Sequence, residues 1–332
     1  MEAIRSIHRL LARSATRFRA ALTVLLLIAL LAGCGSPGPT AAVPSRTGTT
    51  DRLATPLPTA PPTITATPKV TASPAATPSP SVPPIAGAKQ TACPGRSRTA
   101  RRGAVTSGVS RNWAGYVLGA TRGHVTCVEG TWTQPKISCP TTGRTSVAVW
   151  VGIDGSTAIG SIPDSSATLA QTGTFANCDS GKAQYGAWYE FLPDLRNIEP
   201  FQLAVAAGDK IWAQVRWLGK GEFIATLINL TQRVGATQRW NLKAAPLLTA
   251  EWIVEDPAAS CSGSSASTCT FEALAHFATV AVNGAVTISG TRYRLSSAPF
   301  PYLRTAISRS GRTLATPSSL TSSGFKVTWK AS

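Results

Sequence analysis

Two strings in this 332-residue chain carry side chains suited to acid–base chemistry: Leu169-Ala170-Gln171-Thr172-Gly173 and Ala250-Glu251-Trp252-Ile253-Val254-Glu255-Asp256. A carboxylate can take a proton from water and later return it, and a side-chain amide can donate to an oxygen that gains negative charge. Gln171 and Glu255 are the candidate pair for those two roles. Alone, each has an ordinary reading, a solvated strand acid and a turn-adjacent polar residue. Side chains alternate between the faces of a strand, so Trp252 and Val254 are expected in a core, with Glu251, Ile253 and Glu255 on the other, open face. Competing chemistries lack their parts. The chain has three histidines, His8, His124 and His276, with no GxSxG elbow, no HExxH and no CxxC string. Paired Asp-Thr/Ser-Gly strings are lacking: the chain has one, Asp179-Ser180-Gly181, and Asp154-Gly155-Ser156 is not a second. Serine, metal-dependent and paired-aspartate mechanisms are therefore not expected, nor is any metal or other cofactor.

Between the two strings lies Ala187-Trp188-Tyr189-Glu190-Phe191-Leu192-Pro193, and ahead of them lie Asn112-Trp113-Ala114-Gly115 and Val149-Trp150-Val151-Gly152-Ile153-Asp154-Gly155. This ordered set, from about Ser110 to Gly290, resembles the glutamic peptidases, or eqolisins. The resemblance implies an endopeptidase that acts on polypeptides through a glutamine and a glutamate, matched here by Gln171 and Glu255, with Glu251 a near decoy. It further implies a substrate cleft lined by Trp113, Trp150, Asp154, Trp188 and Glu190. Two positions depart from the pattern. Gly186 stands where family members often have an aspartate, and Leu192 where they have an aromatic before the proline. Because an ordinary glutamate titrates near about 4.3, activity is expected in the acid range. The rival reading is a noncatalytic carbohydrate-binding sandwich at the cell surface, since aromatic rings also stack on sugars. A glycosidase using Glu255 and Glu190 is a third reading, which for retaining chemistry needs the carboxyls roughly 5 to 5.5 Å apart.

These side chains need strands to hold them. Strand patterns recur at Ser146–Val151, Lys210–Leu218, Phe223–Leu230, Glu251–Glu255, Phe277–Val282 and Phe325–Trp329, and no convincing amphipathic helix interrupts them. In Ile211-Trp212-Ala213-Gln214-Val215-Arg216-Trp217 one alternating set is apolar and the other mixed, the pattern of a half-buried antiparallel strand. Turns are expected at Pro193-Asp194, Asp154-Gly155 and Asn283-Gly284. The fold class is therefore all-β, an antiparallel two-sheet β-sandwich, which the resemblance sharpens to a lectin-like jelly roll. On the strand through Val149, Trp150 and Asp154 share one face and Val149, Val151 and Ile153 the core face; Trp188 and Glu190 likewise share a face.

Three segments are expected. Residues 1–34 read as a signal: basic Arg5 to Arg19, an apolar run Ala20–Ala32 shorter than the roughly 20 residues of a membrane span, then Leu31-Ala32-Gly33-Cys34, a lipobox-like string that makes Cys34 the lipidated residue. Residues 35–106, rich in Pro, Thr, Ala and Ser, read as a disordered tether reaching on the order of 100 Å, with arginines 96, 98, 101 and 102 a possible processing site. Residues 107–332 read as the folded domain, a monomer, held at the extracellular face of the membrane by the anchor or secreted. Setting Cys34 aside from the seven cysteines leaves an even number, as an oxidising compartment favours. Cys261 and Cys269, flanking a Ser/Gly-rich loop, are expected to pair; Cys93, Cys127, Cys139 and Cys178 allow three connectivities. The net charge of +17 favours anionic surfaces or acidic substrates, but no nucleic-acid-binding motif accompanies it, and nucleic acid is not an expected partner.

Overall fold

Alternating side chains set the architecture. Along strand Arg144–Ile153, Val147, Val149, Val151 and Ile153 enter the main core, while Ala148 and Trp150 belong to a second, smaller apolar cluster on the opposite face. Strand Thr249–Glu255 divides in the same way, with Trp252 and Val254 in the main core and Ile253 in the second cluster. The period of two requires this division. The structure, a computed structural model, describes residues 83–120, 124–156, 168–195, 198–261 and 269–330. The chain divides into two units, 1–72 and 73–332. The described residues all belong to the second; the expected signal and Cys34 lie outside them.

The sheet that carries the candidate residues runs, in spatial order, Val105–Ser110, Tyr302–Arg309, Trp113–Gly119, Thr249–Glu255, Arg144–Ile153, Leu169–Asp179, Lys182–Leu192 and Glu199–Phe201. A second sheet runs Val234–Asn241, Glu222–Asn229, Lys210–Gly219, Val125–Thr133, Thr279–Ile288 and Phe325–Trp329. Its Ile211, Ala213, Val215 and Leu227 share the main core with Val149 and Val151, so the two sheets pack face to face. Strand Arg312–Pro317 pairs with both Phe325–Trp329 and Tyr302–Arg309 and joins the sheets at one edge. Pairing is antiparallel apart from Val105–Ser110 on Tyr302–Arg309 and two short contacts. The result is the expected all-β, two-sheet sandwich.

Two local expectations change. Asn283-Gly284 is not a turn but the middle of strand Thr279–Ile288. Its glycine answers to packing: a Cβ there would lie 2.2 Å from Nε1 of Trp252, whose buried indole donates to the Glu129 carbonyl at 2.9 Å. The second change concerns the tether. From residue 83 onward the chain is a belt across the second sheet. Ile85 and Ala86 pair with Gly235 and Val234, the Thr91 carbonyl accepts from Gln214, Cys93 is bonded to Cys127, the Pro94 carbonyl accepts from Thr287, and Arg96-Ser97 pair with Thr291-Arg292. Beneath it the Cys93 amide donates to buried Glu129, which also pairs with Arg292. The folded unit therefore begins well before residue 107, and Arg96 is part of a sheet. Composition hid this because backbone pairing and a disulfide hold the belt, with little help from apolar side chains. The belt also explains why Gln214, on the mixed face of its strand, is buried.

Of the three connectivities open to four cysteines, the structure has Cys93–Cys127 and Cys139–Cys178. Backbone register sets Cys261 opposite Cys269 across a separate two-stranded ribbon, but the Cys261 side chain lies outside the described residues. Cys93–Cys127 closes a loop of 34 residues, for which chain entropy gives about 3–4 kcal/mol. Cys93→Ser is expected to lower unfolding stability by about 2–4 kcal/mol in a denaturant titration; a loss below about 0.5 kcal/mol would show that the belt contributes little.

Candidate active site

Strand register brings the separated strings into rows on the face away from the main core. One row reads Val117, Glu251, Gly152, Gln171, Glu190; the next Gly115, Ile253, Trp150, Gly173, Trp188; the third Trp113, Glu255, Ala148, Phe175, Gly186. All the motifs that the sequence singled out thus reach one sheet face. Gly173 is required beside Trp150: a Cβ there would lie 2.2 Å from the Val149 carbonyl oxygen and 2.6 Å from the Trp150 Cβ.

Glu255 ends its strand, partly buried, under three donors. Asn112 Nδ2 donates to Oε1 at 2.7 Å, Trp113 Nε1 to the same oxygen at 3.1 Å, and Trp150 Nε1 to Oε2 at 2.6 Å. The two indoles can only donate, so both oxygens of Glu255 are held as acceptors. Asn112 is oriented in turn by Ser110, whose hydroxyl donates to its Oδ1 at 3.2 Å. Its place in the site was not foreseen; the available signal was its position beside Trp113 in the Asn112-Trp113 string. The Asp256 carboxylate pairs with Arg309 at 2.5 Å, and its amide donates to the Asn112 carbonyl, which fixes the end of the strand.

Gln171 is buried and its Nε2 donates to Glu190 Oε2 at 2.5 Å. Its Oε1 is buried with no partner among the described residues, as is Nε1 of Trp188. Burial pushes Glu190 up to about 7, opposed by the bond from Gln171. Burial likewise pushes Glu255 up to about 8, against its three N–H donors, with the Glu190 charge adding to the rise. The carboxyl expected on an open face in the ordinary acid range instead ionises near neutrality, and like charges discourage simultaneous ionisation of the pair.

The remaining expected site residues separate into two kinds. Trp113, Trp150 and Glu190 touch the core of the site directly. Trp150 and Trp188 are almost wholly buried, at 0% and 2% exposure, so neither presents an open ring face on which a sugar could stack. Asp154, expected to contact substrate, is 1% exposed and accepts from the backbone amides of Leu247 at 3.1 Å and Leu248 at 2.6 Å. That makes it a brace for the approach to strand Thr249–Glu255, and burial raises it to about 6. Glu251 is fully buried, with no regular hydrogen bond to either oxygen among the described residues; burial first, and then the Asp154 charge, raise its pKa well above the ordinary value, with the Thr249 side chain pulling the other way. Among the described residues no cluster of His, Cys, Asp and Glu is arranged to hold a metal.

Residues 111–329 match the profile of the Peptidase A4 family. Aspergillopepsin-2 of Aspergillus niger is 32% identical over 171 residues, an alignment covering 44% of this chain and 56% of that protein; the chain thus spans about half the length of this curated relative. Among solved structures, scytalido-glutamic peptidase with a peptide-based transition-state analog aligns at 24% identity and a TM-score of 0.54, over 67% of this chain and 100% of that one. SCP-B, a member of the eqolisin family in complex with the tripeptide Ala-Ile-His, aligns at 23% identity and a TM-score of 0.53 over the same shares. At these identities the structural likeness is one of fold.

Proposed function

The chain belongs to the Peptidase A4 family, and from that premise we propose that it is an exported endopeptidase hydrolysing peptide bonds with Glu255 and Gln171. The observation that carries the reading is a carboxyl held by three directed N–H donors on the same sheet face as a buried amide whose oxygen has no partner among the described residues. In its ionised form Glu255 takes a proton from water, and the hydroxide so formed bonds to the scissile carbonyl carbon as the C=O pair moves onto oxygen. One N–H of Gln171 stays on Glu190 while the other donates to that oxyanion. Protonated Glu255 then returns its proton to the departing amine as the C–N bond breaks. The Gln171 oxygen and the Trp188 indole, buried without partners among the described residues, would be satisfied by one N–H and one carbonyl of a substrate peptide.

The ionisation of the Glu255–Glu190 pair places the rise of activity nearer neutrality than an ordinary glutamate would. Export suits the disulfides Cys93–Cys127 and Cys139–Cys178. Lipidation at Cys34 is proposed from the sequence string alone. The test is digestion of a denatured protein by the full chain from pH 3 to 8, beside Gln171→Ala. Loss of one oxyanion donor costs about 3–4 kcal/mol, so turnover is expected to fall by roughly two to three orders of magnitude. Turnover within threefold of the parent would remove Gln171 from the mechanism.

A further inference from the structure

We infer that the ring of Phe175, laid over Gly186, is the subsite that selects a large apolar substrate side chain beside the scissile bond; this rests on the endopeptidase reading above. Phe175 lies in the Glu255 row, with only Ala148 between the two strands that carry them. At roughly 4.8 Å between strands, its Cα sits about 10 Å from that of Glu255, within reach of the side chain of a residue bonded through the carbonyl that Glu255 serves. Ala148 puts a single methyl into that interval, buried in the same apolar cluster against which Phe175 packs.

The ring is fixed by what lies under it. A Cβ at position 186 would stand 2.4 Å from Phe175 Cζ and 2.6 Å from Cε1, so the ring occupies the space a side chain at 186 would need. Phe175 and Gly186 are therefore one feature: at a position where family members often carry an aspartate, this chain presents hydrocarbon. Phe175 is half-buried, packed at the edge of the cluster that holds Trp150 and Trp188, and one part of it faces outward. The next row on the same face continues with Asn177 and Gln184, which are uncharged. Such a surface rewards burial of an aromatic or long aliphatic side chain, whereas a carboxylate would meet hydrocarbon and neutral amides rather than a cation.

The experiment uses the full chain and a peptide set identical except at the residues flanking one cleavable bond, carrying Phe, Leu, Ala, Asp or Lys, with kcat/KM read by mass spectrometry. The wild type is expected to prefer Phe to Ala by about tenfold or more at one flanking position, with Asp disfavoured there. In Phe175→Ala that preference should fall to within about twofold. Phe175→Leu preserves apolar volume and decides the matter where the alanine variant fails to fold: its Phe-over-Leu selectivity should drop. A wild type without the preference, or variants that retain it, would overturn the inference while leaving hydrolysis intact. A wild type that cuts no peptide in the set would overturn the endopeptidase reading and this inference with it.

Discussion

Glu255→Gln is expected to lower kcat/KM by about four orders of magnitude and to destabilise the fold as well. General acid–base catalysis by one positioned group typically contributes about two to four orders of magnitude. The upper end is expected because the proposed cycle uses the same carboxyl twice, first on water and then on the amine. The structural effect follows from donor counting. Asn112, Trp113 and Trp150 aim three N–H groups at the two oxygens of Glu255. A protonated carboxyl still accepts at both oxygens, but an amide accepts at one end only, and its NH₂ would confront at least one N–H that can do nothing but donate. A buried donor left unpaired costs about 1–3 kcal/mol. A peptide assay and a denaturant melt on the same preparation check both parts, and activity above about 1% of the parent would sink the general-base role.

The sequence carried the rows of this site further than it carried their chemistry. Alternation along Val149–Asp154 and Glu251–Glu255 is a backbone property, so which residues share a face could be read from single strands, and Val149, Val151, Trp252 and Val254 are in the main core as expected. Long-range quantities were another matter. The burial that raises Glu255 depends on how Trp113 and Trp150, from two other strands, close over it, which no local pattern records. Asp154 looked like a cleft acid because its parity is right; its role as a brace comes from the Leu247-Leu248 amides, contributed by a loop far along the chain. The belt was missed for the opposite reason. Its composition describes side chains, whereas its attachment is made of main-chain pairing, one disulfide and the buried Glu129.

That burial has a consequence for the whole fold. Five carboxyls on or beside the strands of the site have raised proton affinities: Asp154 to about 6, Glu190 to about 7, Asp256 to about 7 and Glu255 to about 8, with Glu251 well above its ordinary value. In each case burial is the largest cause, and only for Asp256 does a cation, Arg309, pull the other way. A carboxyl whose folded pKa exceeds its unfolded pKa binds its proton more tightly in the native state. Its contribution to stability is then complete below the unfolded value near about 4 and is lost as pH rises through the folded value. The chain is therefore expected to be most stable in acid and to lose stability between about pH 4 and 8. For Asp154 alone, 1% exposed and raised from 3.8 to about 6, the loss is on the order of 3 kcal/mol. Such a loss is a large part of the 5–15 kcal/mol typical of a domain, so rising activity and falling stability compete as neutrality is approached.

Glu251 supplies the clean test, since it lies fully buried, is paired with no cation among the described residues, and the proposed cycle does not use it. Glu251→Gln removes its ionisation at nearly constant volume. The variant should melt close to the parent at pH 4 and at a higher temperature than the parent at pH 7–8, flattening the slope of Tm against pH. A parent whose Tm holds level or rises from pH 4 to 8 would contradict the argument, because it would mean that these acids are no harder to ionise in the fold than in the open chain.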